Sequence, residues 1–323
     1  MEFILPEETR RVQVEEGKRY DLVIIGAGPA GMTAAVYAAR KKLDTVVISK
    51  DVGGQTVLAS GVETYMGYQY ISGAELMLKF EEQVRQFPIP FAIGEEIATL
   101  TVEDGTFAIR TAQGKTFRAK AVIIASGRRA RALNVPGERA LLGRGVSYCA
   151  TCDAPLFRER AVAVIGSGNP ALTAVNELTN YARKIYSIVR DSVKADPILV
   201  EKAERTGKVE FLAGYAVKEI KGKDRVEDIV ITQTAGDKEV ELAVGGIFIE
   251  IGSVPNTEFA ADVVTLTALK EIEVDCNCKT NIPGLFAAGD ATNAPDKQII
   301  VAAGEGAKAA LSAYRYLVGL KED

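Results

Sequence analysis

An apolar run, a glycine-rich turn and an amphipathic stretch follow one another near the start of the chain. The segment DLVIIGAGPAGMTAAVYAARKKLDTVVIS predicts a buried strand over residues 21–25, a helix over about 29–41 and a second strand over 45–49. Strand, turn, helix and strand in this order are typical of a dinucleotide-binding βαβ unit.

The same order of apolar and polar positions returns about 140 residues later. RAVAVIGSGNPALTAVNELTNYARKIYSIVRD predicts a strand over 161–165, a helix from about 170 and a strand over 184–189. Two such units at this separation indicate two domains.

Each βαβ unit is followed by short alternating strands and then a buried strand, over residues 102–127 and again over 226–252. The two halves of the chain therefore show a duplicated α/β architecture. The later segment LFAAGDATNAPDKQIIVAAGEGAKAALSAYRYLVGL predicts a strand, an Ala-Gly-Asp turn and a long amphipathic helix.

The 323 residues, 47% apolar and 25% charged, are typical of a soluble globular protein large enough for two domains. A net charge of −4 gives no broad attraction to nucleic acid or to an anionic membrane, so we expect neither as a partner. The first 20 residues are too charged for a signal peptide, and no apolar run approaches the roughly 18 residues that span a bilayer. We expect a cytoplasmic protein.

Gly26, Gly28 and Gly31 form a G-x-G-x-x-G between the first predicted strand and helix. The first glycine allows the tight turn, the second lets backbone N–H groups approach a pyrophosphate, and the third permits close packing of helix on strand. The alternative is a glycine turn without a ligand. Ser49 and Lys50 lie where a ribose-binding acid would end the next strand, so that contact stays unassigned.

Gly166, Gly168 and Ala171 form a second fingerprint, G-x-G-x-x-A, with Pro170 at the start of its helix. This pattern predicts a second nucleotide site. The alternative is a fold that keeps its shape but whose ligand pocket has decayed.

Cys149 and Cys152 stand at the spacing of a redox couple in YCATCD. In a reducing compartment a close pair indicates redox chemistry or a metal. A zinc site would have to join this pair with Cys276 and Cys278 across about 120 residues, in a chain without histidine, so we favour a disulfide couple and expect no metal.

Cys276 and Cys278 lie in a predicted strand, EIEVDCNCKT, which would turn both side chains to one face. We expect ordinary packing there, with an auxiliary redox pair as the alternative. Asp153 adjoins Cys152 and is the nearest candidate acid, because a thiolate that leaves a reduced disulfide must be protonated. A solvated aspartate in a turn is the alternative for Asp153.

Seven segments, in order and over nearly the whole chain, resemble the low-molecular-weight thioredoxin reductases: GAGPAG, GGQ, IIASG, GVSYCATCDAPLF, GSGN, IGSVPNT and GLFAAGDATNAPDKQIIVAAGEGAKAAL. CDAPLF and the final segment are also similar to the flavoprotein of the alkyl hydroperoxide reductase system. The C-x-x-C lies just before the second fingerprint and the chain has no histidine, which disfavours the glutathione reductase class, where the pair lies near the first fingerprint and a histidine is the acid.

The resemblance implies an α/β fold of two Rossmann-like three-layer domains, the second inserted in the first. Residues 1–128 and 257–323 would bind FAD, and residues 129–256 would bind a nicotinamide nucleotide and carry the C-x-x-C. In such enzymes the smaller domain rotates, so that either the nicotinamide or the cysteine pair meets the flavin. The resemblance further implies a homodimer that reduces a small thioredoxin-like protein.

Residue roles follow from the same resemblance. Cys152 matches the thiol nearest the flavin, Cys149 the thiol that exchanges with the protein substrate, and Asp153 the acid. Asp290 would contact the ribityl side of FAD and Gln298 the flavin region. The residues expected around FAD are Gly26, Gly28, Gly31, Gly54, Gln55, Thr64, Gly289, Asp290 and Gln298, and those expected around the nicotinamide nucleotide are Gly166, Gly168, Asn169, Ala171, Arg190 and Lys194.

The chain departs from the family pattern in places. Thr64 stands where an asparagine near the isoalloxazine is usual, and Ala154 replaces a common glycine. The arginine clamp for the 2′-phosphate of NADPH, H-R-R-x-x-x-R, is replaced by VRDSVK, in which Arg190 remains, Asp191 takes the second position and Lys194 stands near the third. An NADH site would want an acid at the strand end, where Val189 lies.

We therefore expect weak use of both nucleotides, with NADPH slightly preferred through Arg190 and Lys194. A donor that is not a nicotinamide, such as reduced ferredoxin, is an alternative. Two other functions stay open: an NADH-dependent or ferredoxin-dependent reductase that serves a peroxiredoxin-like or glutaredoxin-like partner, and a flavin redox sensor whose cysteines never exchange with a partner.

Overall fold

The computed structural model describes residues 14–15, 17–59, 62, 64–103, 105–148 and 150–320, without the side chains of Leu58, Thr151 and Cys152. The chain forms two units, Met1–Arg129 with Val254–Asp323 and Ala130–Ser253. The second unit is thus inserted in the first, and the predicted α/β class with two Rossmann-like domains is confirmed.

Strands and helices alternate along much of the chain. The strands, in chain order, are β1 (Arg19–Ala27), β2 (Thr45–Val52), β3 (Phe91–Ile93), β4 (Ile97–Glu103), β5 (Thr106–Thr111), β6 (Thr116–Ile124), β7 (Arg128–Ala130), β8 (Val146–Ser147), β9 (Ala161–Ile165), β10 (Lys184–Val189), β11 (Val209–Ala213), β12 (Tyr215–Lys221), β13 (Asp228–Gln233), β14 (Glu239–Ala243), β15 (Gly246–Ile249), β16 (Ser253–Pro255) and β17 (Leu285–Ala287). The α-helices are α1 (Pro29–Arg40), α2 (Gly73–Val84), α3 (Ala150–Asp153), α4 (Asn169–Leu178), α5 (Pro197–Glu204) and α6 (Ile299–Gly319). Short 3-10 helices cover Gly54–Leu58, Ala154–Phe157, Glu258–Ala260 and Gly289–Ala291.

The first unit is built on a sheet with the strand order β3-β2-β1-β6-β5-β4. β1 pairs in parallel with β2 and β6, while the first half of β6 pairs antiparallel with β5 and its second half parallel with β17. The side chains of β1 from Leu22 to Ile25 are buried, as expected for a parallel strand covered on both faces. The carboxyl ends of β1, β6 and β17 consequently meet at one edge of the sheet, where ligands of doubly wound folds bind.

Helices α1 and α6 cross at small residues. A Cβ atom built on Gly306 of α6 would lie 2.0 Å from the carbonyl oxygen of Ala30 in α1, so the two backbones touch where Gly306 has no side chain. Alanines fill the rest of the contact, and Ala34, Ala35, Ala309 and Ala310 are all buried. This crossing brings the first turn of α1 next to α6.

The second unit contains a parallel sheet with the order β11-β10-β9-β15-β8 and an antiparallel sheet with the order β12-β13-β14. Apolar residues of β9 and β15 are buried on both faces of the parallel sheet, with Val162 and Val164 packed toward α4 and Ala163 and Ile247 packed toward the antiparallel strands. In the described part of the chain, no helix is both long enough and apolar enough to cross a membrane.

Candidate functional site

In the turn between β1 and α1, close contacts with other backbone atoms of the protein require glycine at two positions. Gly26 has a φ of +108°, and a Cβ atom there would lie 2.2 Å from the carbonyl oxygen of Ala125. A Cβ atom on Gly31 would lie 1.8 Å from the carbonyl oxygen of Gly26. These two glycines therefore hold α1 tightly against the sheet.

Gly28 differs, because the nearest protein atom to a Cβ built there is the Gly53 carbonyl oxygen at 4.0 Å. Its φ of −83° is open to any residue, so neither backbone strain nor packing requires glycine. Gly54 lies opposite, with its own Cβ position 3.9 Å from the Gly28 Cα. Open space over Gly28 is the property expected where a ligand phosphate approaches the backbone.

The N-terminus of α1 suits an anion. Gly28 caps the helix without a side-chain hydrogen bond, Pro29 occupies the first turn, and that turn carries no acidic side chain. The positive end of the helix dipole and the backbone N–H groups therefore face the open space over Gly28, which we call the cradle. No acidic side chain of the first turn competes there with a bound anion. The residues of this turn fit the pyrophosphate of FAD.

The Ala-Gly-Asp turn after β17 lies beside this cradle. A Cβ atom on Gly289, whose φ is +77°, would lie 3.1 Å from the Ala30 Cβ and 3.4 Å from the Ala302 Cβ, so the turn packs against both α1 and α6. Burial raises the pKa of the next residue, Asp290, while nearby Lys297 and Arg128 oppose that rise. The fold therefore brings together two motifs that are about 260 residues apart in the sequence.

Three further charged residues, which the sequence analysis missed, surround Asp290. Arg128 donates from Nη1 to Glu271 Oε1 at 2.7 Å and lies 3.5 Å from the Asp290 carbonyl oxygen. Lys297 forms an ion pair with the same Glu271 oxygen at 3.1 Å. The position of Arg128 directly after IIASG and that of Lys297 directly before Gln298 are the signals that could have identified them.

The other expected FAD residues also lie in the first unit. The Gln55 side-chain amide donates to the Arg128 carbonyl oxygen, so that amide already has a protein partner. Gln298 is the N-cap of α6 and is exposed, and Thr64 is exposed in the loop before α2. Their contacts with FAD stay predictions.

The second fingerprint repeats the first geometry in the second unit. Gly166 has a φ of +150°, and a Cβ atom there would lie 2.2 Å from the Glu250 carbonyl oxygen and 2.8 Å from the Cβ of the fully buried Ala171. At Gly168 the nearest atom to a built Cβ is Pro170 Cδ at 3.7 Å, so this position is open like Gly28.

A loop after β10 is bonded onto this second turn. The Lys194 N–H donates to the Ser167 carbonyl oxygen at 2.7 Å. Asn169 Nδ2 donates to Asp196 Oδ2 at 2.8 Å, and the Asp196 N–H donates to Asn169 Oδ1 at 2.8 Å. We call residues 194–196 the latch, because three hydrogen bonds hold them against Ser167 and Asn169 of the second fingerprint.

The latch changes what the second turn can bind. The Asn169 amide is engaged on both its oxygen and its nitrogen, and the Asp196 carboxylate is bonded to the side chain of this first residue of α4. A helix N-terminus is where a pyrophosphate would bind, so this carboxylate is close to the expected anion site. Arg190, Asp191 and Lys194 are all exposed. Residues 190–196 carry two cations and two carboxylates, so their charges cancel.

The C-x-x-C is only partly described. Cys149 lies outside the described residues, as does the side chain of Cys152, and their roles stay predictions. The backbone of the segment forms α3 and continues into the 3-10 helix Ala154–Phe157, with Ala154 fully buried and Asp153 half-buried. The role of Asp153 as acid also stays a prediction.

Two carboxyl groups, neither expected from the sequence, accept hydrogen bonds from the residues on either side of Cys149, one from the Tyr148 hydroxyl and one from the Ala150 N–H. Glu138, with 1% exposure, accepts hydrogen bonds from the N–H groups of Leu133 and Asn134 and from the Tyr148 hydroxyl at 2.6 Å. Burial and this bond raise the pKa of Tyr148. Glu250 accepts a hydrogen bond from the Ala150 N–H, and its burial raises its pKa from 4.5 to about 7.

The strand predicted around Cys276 and Cys278 is wrong, because these residues lie in a turn. Asp275 Oδ1 accepts from the N–H groups of Asn277 and Lys279 at 2.8 and 2.9 Å, which folds the backbone, and Cys278 has a φ of +61°. Cys276 is exposed and Cys278 is buried, so they do not share a face, and both are free thiols.

Burial raises the pKa of Cys278 to about 12, and its Sγ lies 3.7 Å from the Glu305 carbonyl oxygen. Such a thiol is not activated for exchange, so packing is its role. Among the residues that the structure describes, no group of His, Cys, Asp and Glu side chains could hold a metal ion.

Comparisons with known proteins agree with this site. Residues 20–306 match the family model of pyridine nucleotide-disulphide oxidoreductases. The chain is 39% identical to a thioredoxin reductase of Listeria innocua over 95% of its own length and 97% of that protein. The crystal structure of Lactococcus lactis thioredoxin reductase superposes with a TM-score of 0.81 at 36% identity, and the match covers 93% of this chain and all of that one. These findings confirm the resemblance drawn from the motifs.

A third relative is longer than this chain. The match to the alkyl hydroperoxide reductase F subunit, from Pseudomonas putida and 38% identical, covers 95% of this chain but only 60% of that protein. The chain thus spans about three fifths of the length of this relative, whereas it spans nearly all of the Listeria thioredoxin reductase.

Proposed function

Because the chain belongs to the pyridine nucleotide-disulphide oxidoreductase family, we propose that it is an FAD-dependent disulfide reductase that reduces a thioredoxin-like protein. The observation that carries this proposal is the pairing of an open, uncapped glycine turn in the first unit with a C-x-x-C directly before the fingerprint of the second. The 39% identity to a Listeria thioredoxin reductase and the TM-score of 0.81 with the Lactococcus lactis thioredoxin reductase support a thioredoxin-like acceptor.

The family implies FAD and a pyridine nucleotide as cofactors. When bound, FAD supplies two-electron chemistry that can connect a hydride or single-electron donor to a disulfide. We assign the pyrophosphate to the N-terminus of α1 at Gly28, the ribityl hydroxyls to Asp290 and the flavin region to Gln298. Arg128 and Lys297, each paired with Glu271, oppose the rise that burial causes in the pKa of Asp290. The hydrogen bond from Gln55 to the Arg128 carbonyl oxygen holds the 3-10 helix after β2 in place.

The cysteine pair transfers the electrons to the acceptor. Two electrons and one proton convert the Cys149–Cys152 disulfide to one thiol and one thiolate, and the S–S bond breaks. In the following step the Cys149 thiolate attacks the acceptor disulfide and forms a mixed disulfide. The Cys152 thiolate then attacks Cys149, which releases the reduced acceptor and restores the Cys149–Cys152 disulfide. Asp153, half-buried beside Cys152, supplies a proton to the departing thiolate.

We propose that the nicotinamide site of the second unit is weak. The fingerprint at Gly166 and Gly168 has the required shape, yet the latch places the Asp196 carboxylate at its mouth, and Asp191 replaces a clamp arginine. Both carboxylates repel a phosphate, and Arg190 and Lys194 do no more than balance their charge, so no excess of positive charge is left for a phosphate. NADPH is slightly preferred over NADH through these two cations, and a donor that is not a nicotinamide is the second candidate because the latch disfavours both nucleotides alike.

We further propose that the protein is a cytoplasmic homodimer and that it has no nucleic-acid or membrane partner. The dimer rests on the family resemblance, and the other features rest on composition and charge.

Anaerobic reduction with three donors tests the proposal. The purified flavoprotein is mixed with NADPH, NADH or reduced ferredoxin, and the transfer of electrons to oxidised thioredoxin is followed by labelling of the new thioredoxin thiols. We expect thioredoxin reduction with at least one donor, and its loss in Cys149→Ser but not in the control Cys276→Ser. A flavin that is reduced by a donor but never passes electrons to thioredoxin would support the redox sensor instead.

A further inference from the structure

Glu250 connects the second nucleotide fingerprint with the redox segment. It follows the last residue of β15, and its N–H donates to the Ile165 carbonyl oxygen of β9 at 2.8 Å. Its own carbonyl oxygen lies so close to Gly166 that a Cβ atom there would approach it to 2.2 Å. The backbone of Glu250 is therefore fixed from both sides, and its side chain reaches α3, where it accepts the Ala150 N–H.

The surroundings of this carboxyl group are half-buried and poor in compensating charge. From α3 it receives the Ala150 N–H, which favours the ionised form; from α4 the carboxylate of Glu177 faces it, which disfavours that form. β9 and the turn after it contribute only backbone, at Ile165 and Gly166. Burial outweighs the hydrogen bond, and the pKa of Glu250 rises to about 7.

The neighbouring carboxyl group of Glu138 is different. It accepts three hydrogen bonds, two of them from backbone N–H groups, and holds Tyr148 in place. Glu250 has one backbone donor and a like charge opposite it, and its burial raises its pKa to about 7, so it can change its protonation near neutral pH.

We propose that Glu250 is a positioning residue that takes up and releases a proton together with reduction and oxidation of the Cys149/Cys152 pair. This inference rests on the proposed function, which makes that pair the redox centre. Two electrons and one proton convert the disulfide into one thiol and one thiolate. The new negative charge favours the neutral form of Glu250, which takes a second proton from solvent. When the acceptor disulfide is reduced, both electrons and both protons leave again, and Glu250 returns to its former state.

The coupling has a defined direction. At pH values well below 7, Glu250 is mostly neutral in both redox states and behaves like glutamine. As the pH rises through 7, Glu250 becomes ionised in the oxidised protein. On reduction it must then either take up a proton or stay charged while the cysteine pair gains a negative charge. The disulfide of the natural protein therefore becomes harder to reduce than that of Glu250→Gln as the pH rises.

Redox equilibration of the flavoprotein tests this inference. The protein and Glu250→Gln are equilibrated with mixtures of reduced and oxidised dithiothreitol between pH 6 and 8.5, and the reduced fraction of Cys149 and Cys152 is read by alkylation and peptide mass spectrometry. Glutamine keeps an oxygen that accepts the Ala150 N–H but cannot titrate. We expect equal equilibrium constants at pH 6 and an increasing difference of about three- to tenfold by pH 8.5.

Glu177→Gln is the second variant, and it leaves Glu250 in place. Removal of the facing charge lowers the pKa of Glu250, so the pH dependence should persist with its midpoint at lower pH. A ratio of equilibrium constants between Glu250→Gln and the natural protein that stays constant across this pH range would overturn the inference, as would an unmoved midpoint in Glu177→Gln. The measurement needs neither electron donor nor thioredoxin, so failure to reduce thioredoxin would refute the proposed function without changing this result.

Discussion

Asn169 and Asp196 exchange two hydrogen bonds of 2.8 Å each, one through the backbone N–H of Asp196 and one through its carboxylate. Asn169 is the first residue of α4, directly after the fingerprint glycine Gly168. The pair therefore lies beside the helix N-terminus at which we propose that a dinucleotide phosphate binds.

Asp196→Ala should strengthen nicotinamide binding. The change removes the carboxylate and frees the Asn169 amide nitrogen, while the hydrogen bond from the residue-196 N–H to Asn169 is kept, so the loop stays folded. We expect the Kd for both NADPH and NADH to fall by about tenfold, which isothermal titration can measure.

Two comparisons make this result specific. Asp237→Ala removes an exposed carboxylate in the turn before β14 and should leave both affinities unchanged. Asp191→Arg restores a clamp cation and should favour NADPH alone, because NADH lacks the 2′-phosphate. An unchanged Kd in Asp196→Ala would show that the latch does not limit the site.

Alanine at Gly28 and at Gly31 should separate cofactor binding from folding. At Gly28 the new methyl group enters open space, so Tm of the protein stripped of flavin should not change, whereas FAD affinity should fall by about tenfold or more. At Gly31 the methyl group overlaps the Gly26 carbonyl oxygen at 1.8 Å, and we expect a loss of about 3 kcal/mol or more of stability. Thermal unfolding and FAD titration check both. Equal FAD affinity in Gly28→Ala would refute the assignment of the cradle.

Asp153→Asn should slow disulfide reduction without disturbing the flavin site. The amide has the shape of the carboxyl group but cannot release a proton, so thioredoxin reduction should slow by roughly 10²-fold at normal flavin content. Glu159→Gln, an exposed neighbour on the same segment, is the matched control. Full activity in Asp153→Asn would contradict the role of Asp153 as acid and support the alternative that it is a solvated aspartate in a turn.

Glu250 should also make folding stability depend on pH. Its pKa is about 7 in the folded chain and about 4.5 when unfolded, so the folded state binds more protons between these values. The stabilisation of the neutral carboxyl group is complete below pH 4.5 and is lost as the pH rises to about 7, by at most about 1.4 kcal/mol per pH unit. The Tm of Glu250→Gln relative to the natural protein should therefore increase between pH 5 and 7. A Tm difference that is independent of pH would contradict this.

The local pattern of apolar and polar residues was sufficient to predict the strands and helices of the two βαβ units. β9 and β10 begin and end where their apolar runs predict, and α1 ends one residue before its predicted end. Parallel strands buried on both faces read as continuous apolar runs, and the glycine turns between them have strict steric requirements, so neighbouring residues decide the result.

The sequence pattern failed where polar side chains decide the backbone or act over long separations. Asp275 folds the segment of Cys276 and Cys278 into a turn by accepting two nearby N–H groups, although the alternation of residues predicts a strand. Arg128 and Glu271 meet across 143 residues, and Ala150 and Glu250 meet across 100. The position of Arg128 directly after IIASG could have marked this residue, but nothing in a single sequence indicates which distant residue is its partner.

Trapping of a mixed disulfide tests the central claim most directly. Reduced Cys152→Ser is mixed with a thioredoxin whose single active-site cysteine is activated with 5-thio-2-nitrobenzoate, and the adduct is located by peptide mass spectrometry. Since Cys149 is the proposed exchange thiol and Cys152 the thiol that would resolve the adduct, we expect a stable disulfide between Cys149 and thioredoxin, and none in Cys149→Ser. An adduct in Cys149→Ser, an adduct at Cys276, or no adduct in either variant would contradict the account.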